Sequence, residues 1–463
     1  MQSTHNNGAT YEHSLDHALE FFSKAGSLFS KRQSFYGNEE SALSLFQKTW
    51  IVNKEVSFKL LLWLRDCRGG AGNRSAFREC LTWLATTDPE WVKVNIASIP
   101  AAGRWDDLKA LYDTPCEEAA LEAWTQGIQA GDDKNLAAKW ANRRDNKLRK
   151  HLKMTPKDYR KLLVSRTAVV ENKMTARQWQ EIDYPTVPSV AMARYTNAFK
   201  KRDTERYEKF KTAVAAGETS VNASTLFPHD CVRTARNGDA ELANLQFAAL
   251  PNYFADTNKR ILCLCDSSGS MSVQVSGSVA AIDVSTSLSL YCSDRLASDS
   301  PFYRKFMQFE DESQLTDWKD MTFSDVITGG TVLNGAVGST DLQKALTTLL
   351  AYAKMFNATP EQMPSVLLVI SDMQFNQGVH QPNQTEIEHS IDQWVKAGYE
   401  RPTLVYWNTA GYAGAPATIR DETVALVSGF SPSVLQALFS SDDLSAAAVL
   451  NRALEKYAVV APK

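Results

Sequence analysis

Residues 260–272 read Arg-Ile-Leu-Cys-Leu-Cys-Asp-Ser-Ser-Gly-Ser-Met-Ser. Five consecutive apolar side chains, Ile261 to Cys265, end at Asp266, and a Ser/Gly turn follows at once. A run this short and this uniformly apolar fits a strand covered on both faces, as in a parallel sheet. Residues 365–372, Ser-Val-Leu-Leu-Val-Ile-Ser-Asp, repeat the pattern. Two such strands put carboxylates at the carboxyl edge of a sheet, where ligands of open α/β folds bind. A turn that merely caps the next helix would account for the first stretch but not for its pairing with the second.

Ser268 and Ser270 alternate with Asp266, and residues 338–346 add Thr340 just before a helical pattern. Oxygen donors of this kind suit a hard divalent cation, Mg²⁺ before Mn²⁺ or Ca²⁺. The three segments resemble the von Willebrand factor A domain and its metal-ion-dependent adhesion site. That family's signature is Asp-x-Ser-x-Ser, a loop threonine and a strand-end aspartate. The resemblance implies Asp266, Ser268, Ser270, Thr340 and Asp372 as the metal-site residues. Thr331, in Gly329-Gly330-Thr331, competes with Thr340, which is preferred because a helix follows it directly. Neutral hydroxyls leave a bound cation electrophilic and able to accept an acidic group from a partner. This is binding chemistry and does not require catalysis.

The pattern changes near residue 256. Residues 1–255 carry helical periodicity in succession, over 14–28, 41–50, 54–67, 76–85, 88–99, 105–112 and 117–130. Successive short helices predict an α-helical repeat-like domain, a solenoid or ring, although no fixed period emerges. Residues 256–463 alternate strands with helices, which predicts a doubly wound, mostly parallel α/β domain followed by C-terminal helices. The expected fold is therefore α plus α/β. Residues 326–339 are expected to loop over the metal site. The glycines of Arg68-Gly-Gly-Ala-Gly72 follow a helix and lack the Gly-Lys-Ser/Thr ending of a phosphate loop, so they read as a helix stop.

A net charge of −3 conceals an asymmetry. Residues 134–211 hold 21 Lys/Arg against 8 Asp/Glu, an excess of +13, leaving 29 against 45 elsewhere. Segregation of this kind points to a polyanionic partner. Read as one helix, residues 134–153 align Leu136, Trp140, Leu148 and Leu152 in an apolar stripe. Lys139, Arg143, Lys147 and Lys150 then form a basic stripe beside it, widened by Arg144, Arg149 and Lys153. These seven cations are the candidate RNA contacts, with Lys200-Lys201-Arg202 and Arg206 as a second cluster. Phosphate binding of this kind weakens steeply with salt.

Seven cysteines, an odd number without framework spacing, predict reduced thiols. The amino terminus lacks the order of a signal peptide, and no apolar run is long enough to span a bilayer. The cytoplasm, of a host if the protein is viral, is the expected compartment.

A helical, basic first half joined to a von Willebrand A-like second half resembles the Ro ribonucleoprotein autoantigen family. Its helical ring binds small noncoding and single-stranded RNA. The chain also resembles a group of plant, viral and phage proteins without an assigned activity. Residues 64–70, 99–107, 184–189 and 426–432 carry that likeness. The leading expectation is a noncatalytic RNA-binding protein. A metal-dependent protein-protein adaptor or virion assembly factor, binding a partner's carboxylate, is the alternative. Scattered histidines and a site with only two carboxylates argue against an enzyme, since two-metal hydrolases gather more acid around their ions.

Overall fold

The structure, a computed structural model, describes residues 2–3, 9–10, 16–28, 41–130, 135–223, 226–254, 259–276, 279–310, 312–330, 340–373, 386–410 and 424–462. The amino-terminal half is helical. Its first helices are α1 (His17–Lys24), α2 (Ala42–Val52), α3 (Lys54–Arg65), α4 (Arg74–Thr87) and α5 (Glu117–Ala130). Polar residues start them: Ser41, Asn53 and Asn73 accept backbone N–H donors from Ser44, Val56 and Ala76. The glycine cluster after α3 is the expected helix stop. Gly72 takes φ +75°, and a Cβ on Gly70 would lie 2.1 Å from the Trp63 carbonyl oxygen.

The chain continues through α6 (Leu136–Trp140), α7 (Asn146–His151), α8 (Pro156–Ser165), α9 (Ser189–Arg202), α10 (Thr204–Ala215), α11 (Pro228–Arg236) and α12 (Ala240–Ala248). Around α9 and α10 a small second core forms from Tyr184, Met192, Phe199, Tyr207 and Phe210.

The carboxyl-terminal half is built on six strands: β1 (Ile261–Asp266), β2 (Lys305–Phe309), β3 (Ser313–Asp317), β4 (Val366–Ser371), β5 (Thr403–Asn408) and β6 (Val424–Ser428). Their order is β6-β5-β4-β1-β2-β3, and every pairing is parallel except β2 with β3. This is the doubly wound order 3-2-1-4-5-6 with an antiparallel edge. Every residue of β1 and β4 is buried, so both faces of the central sheet are covered. α13 (Ala281–Asp294) packs on β1 and β4, and α14 (Leu342–Met355) packs toward β2 and β3. α15 (Glu386–Lys396) and α16 (Ala446–Glu455) follow, with short helical turns at Phe323–Thr328 and Val434–Phe439.

The hydrophobic core does not stop at residue 256, for one cluster runs from Leu19 to Tyr457. α1 covers the β6 edge, where Gly26 N donates to Ser428 Oγ at 3.1 Å and Ser27 Oγ donates to the Asn408 carbonyl at 2.5 Å. A Cβ on Gly26 would lie 2.6 Å from Ser428 Oγ and 2.8 Å from Gly429 N, so only glycine fits. A second seam joins α11 and α12 to α13 and its surroundings. Arg236 pairs with Asp283 at 2.6 Å, and Phe247 stacks on Phe323 at 4.2 Å. The seven cysteines are all free thiols. Among the described residues no helix is long and apolar enough to cross a membrane.

Candidate metal centre and basic surface

β1 and β4 lie side by side, and the sheet order reverses between them. Their carboxyl ends therefore flank the crevice in which this topology accepts ligands. Asp266 closes β1 and Asp372 follows β4; both are fully buried. Ser268 N donates to Asp266 Oδ1 at 3.0 Å, so the Ser-Ser-Gly-Ser turn folds back onto the carboxylate. Ser371 Oγ donates to the other oxygen, Oδ2, at 2.5 Å. Ser371 in turn accepts Met373 N at 2.9 Å, and Met373 sits at φ +68°. A side chain-bearing residue in that region costs about 1–2 kcal/mol, which places strained backbone directly beside Asp372.

Three hydroxyls complete the group. Thr340 Oγ1 donates to Ser268 Oγ at 3.0 Å, and Ser268 Oγ lies 3.1 Å from Ser270 Oγ. Thr340 is held by the start of α14, where Asp341 accepts Lys344 N at 2.7 Å. Asp266 and Thr340, expected together from sequence, are thus linked through one serine, Ser268, whose N reaches the carboxylate and whose Oγ accepts the threonine hydroxyl. Burial, reinforced by the Asp372 charge, pushes the Asp266 carboxyl up to about 7. No lysine or arginine pairs with Asp266 among the described residues. Thr331 and residues 331–339 lie outside the described residues.

Two other aspartates of this half, Asp283 and Asp294, have structural partners. Asp283 accepts Ala280 N and pairs with Arg236, while Asp294 pairs with Arg295 and Arg304. Among the described residues no three His, Cys, Asp or Glu side chains converge as a ligand group. Any cation here would depend on the hydroxyls. Ser371 is the contact that sequence reading missed; its signal was the Ser-Asp pair ending β4.

The basic segment departs from expectation. Residues 134–153 do not form one helix. The described part divides into α6 and α7 because Asn142 and Asp145 offer the backbone local partners. Asn142 Oδ1 accepts Arg144 N at 2.9 Å, and Asp145 Oδ1 accepts Leu148 N at 3.1 Å to start α7. The single apolar stripe is therefore broken: Leu148 is fully buried but Leu136 is 55% exposed.

The seven candidate cations also divide. Lys147 bridges Asp113 at 2.5 Å and Glu117 at 2.6 Å. Arg149 Nη1 donates to the Met154 carbonyl at 2.9 Å, and Lys139 Nζ lies 5.8 Å from the Trp140 ring centre. Arg143, Arg144, Lys150 and Lys153 are exposed and form no ion pair with a described residue, and the same holds for Lys157 and Lys161 in α8. In the second cluster Lys200 pairs with Asp239 at 3.0 Å, and Arg206 is held by Asp203 and two backbone carbonyls.

A helical half with an exposed cationic stretch, joined to a doubly wound sheet whose switch point gathers two acids and three hydroxyls, defines the class of protein. Residues 4–111 and 132–262 match the family described as Domain of unknown function (DUF2828), and the chain belongs to that family. Residues 260–457 match a second family, described as Domain of unknown function (DUF7788). An uncharacterised protein of Acanthamoeba polyphaga mimivirus is 25% identical over 479 residues, covering 90% of this chain and 82% of that one. The crystal structure of the Deinococcus radiodurans Ro (RSR) protein superposes with a TM-score of 0.48 at 13% identity, covering 96% of this chain and 100% of that one.

Proposed function

We propose that the chain is a noncatalytic, cytoplasmic RNA-binding protein that also carries a divalent cation. The observation behind this reading is the set of exposed cations Arg143, Arg144, Lys150 and Lys153, with Lys157 and Lys161 beyond them, that lack carboxylate partners among the described residues. Cations left without counter-charges on a protein of net charge −3 favour an external polyanion. Binding through phosphates would tolerate many sequences and decline with salt. Small noncoding or single-stranded RNA is the substrate class. A filter-binding titration with a 20-nucleotide oligouridylate at two salt concentrations tests it. Arg143→Glu with Arg144→Glu should weaken binding at least tenfold, and wild-type affinity that ignores salt would refute the reading.

In this reading the sheet half is von Willebrand A-like and takes Mg²⁺, with Mn²⁺ or Ca²⁺ as substitutes, through Asp266, Ser268, Ser270, Thr340 and Asp372. The donor set fits. Hydroxyl oxygens 3.0 and 3.1 Å apart match the spacing of neighbouring ligands in an octahedron with bonds of about 2.1 Å. A cation would also neutralise two buried acids.

The same donor set favours a second reading, a metal-dependent adaptor in which a partner's carboxylate completes the coordination. Partners lost on EDTA treatment but retained after nuclease would favour it over RNA binding.

A further inference from the structure

A second group of cations lies in the helical half, outside the segment that sequence reading singled out. Asp107 is fully buried and its oxygens are fully engaged: Oδ1 accepts Arg78 Nε at 2.7 Å, and Oδ2 accepts Arg65 Nε at 2.7 Å and Arg104 N at 2.8 Å. Asp106 holds Arg104 through both oxygens at 2.9 Å and lies 3.1 Å from Arg78 Nη2. Two carboxylates thus serve three guanidiniums. A fourth, Arg74, opens α4 one turn before Arg78, so the two share a helix face. Arg74 is exposed and forms no hydrogen bond or ion pair through its side chain with a described residue.

Like charges at this spacing destabilise a helix by a few tenths of a kcal/mol. Partial desolvation and then the neighbouring charges of Arg104 and Arg78 hold the Arg74 guanidinium below its usual range, against the opposing charge of Asp106. The group of Arg65, Arg74, Arg78 and Arg104 therefore exceeds its carboxylates by two charges. It also adjoins the basic segment, because Arg104 stacks on the Trp140 ring at 3.8 Å and Lys139 approaches the same ring. The scaffold beneath is closely packed. A Cβ on Gly103 would lie 2.4 Å from Asp107 Oδ2, and one on Gly127 would lie 2.2 Å from the Trp105 ring.

We propose that Arg74, with Arg78 and Arg104 behind it, binds a phosphate group. Resting on the RNA-binding reading, that group is a backbone phosphodiester of the RNA crossing from the exposed cations of residues 143–161. A planar guanidinium with all its donors available suits two phosphate oxygens at once.

Two readouts on the full chain test this. Arg74→Gln should fold normally, with a melting temperature no lower than wild type at low salt, because it removes a repulsive charge. In oligouridylate binding, Arg74→Gln should reduce affinity roughly three- to tenfold and lower the slope of log K against log salt by about 0.7. Arg74→Lys should recover part of the affinity. Separately, inorganic pyrophosphate, compared with chloride at equal ionic strength, should raise the melting temperature of wild type but not of Arg74→Gln. Unchanged RNA slope together with an unchanged pyrophosphate response in Arg74→Gln overturns the site while leaving RNA binding intact. No RNA binding by wild type, with a pyrophosphate response that Arg74→Gln abolishes, overturns the RNA reading and upholds a phosphate site of another origin.

Discussion

Arg65 and Asp107 meet through Nε and Oδ2 at 2.7 Å, with the side chains 4% and 0% exposed. They join two conspicuous stretches of sequence, residues 64–70 and 99–107, at the centre of the helical half. Breaking a buried pair by removing one partner leaves an uncompensated charge and costs about 3–5 kcal/mol. Asp107→Ala is therefore expected to lower unfolding stability by that amount in urea titration. Arg74→Gln, one helical turn before Arg78, is expected to lower it not at all.

The two fully buried aspartates of the sheet half, Asp266 and Asp372, predict an opposite pattern. Asp372→Asn removes the negative charge that helps push Asp266 up to about 7. The metal-free variant should melt above metal-free wild type. Mg²⁺ at a hundred times its dissociation constant should stabilise wild type by about 2.7 kcal/mol and leave the variant unmoved. Calorimetry with and without EDTA reads both effects, and an equal Mg²⁺ response in the two proteins would remove the metal centre.

His229 predicts a pH dependence. Its ring is buried between Phe227 and Phe430, at 5.3 and 5.7 Å, on the seam between the halves. Burial holds the imidazole below its usual range, the charges of Asp230 and Asp283 oppose this, and Arg233 adds to it. A depressed base stabilises the fold above its unfolded value of about 6.5, and that contribution is lost as pH falls below it. The melting-temperature difference between wild type and His229→Gln should shift against wild type from pH 7.5 to pH 5.5. Asp266 contributes equally to both proteins and cancels.

Gly26 predicts a steric effect. An added Cβ would meet Ser428 Oγ at 2.6 Å and two backbone atoms of residues 428 and 429 within 2.9 Å. Backbone cannot swing aside as a side chain would. Gly26→Ala should cost about 1–3 kcal/mol, measured by denaturant unfolding.

The central strands were legible because a strand buried on both faces needs an uninterrupted apolar run, and β1, β4, β5 and β6 supply one. β3 was not legible: Ser-Gln-Leu-Thr-Asp is polar because it lies at the sheet edge, and among the described residues its only partner is β2. The grouping of Ser268 and Ser270 with Asp266 was legible for a related reason, since short-range turn chemistry brings the three together. Thr340 depended on the helix that follows it. The helix expected across residues 134–153 failed where Asn142 and Asp145 offered closer partners than the next turn. Lys147 looked available because Asp113 and Glu117, its partners, lie 34 and 30 residues away. The arginines around Asp107 carried no recognisable charge excess, since residues 65–107 hold six Lys/Arg against six Asp/Glu.

The seating of α1 on β6 ties residues 402 positions apart in the chain. At translation rates of 5–20 residues per second, the first helix waits roughly 20–80 s for its partner strand to be made. Throughout that interval the Phe22 carbonyl, Gly26 N and Ser27 Oγ, buried in the finished molecule, lack the Ser428 and Asn408 partners that will satisfy them. Nascent chains halted before residue 424 are accordingly the species on which ribosome-associated chaperones should be found.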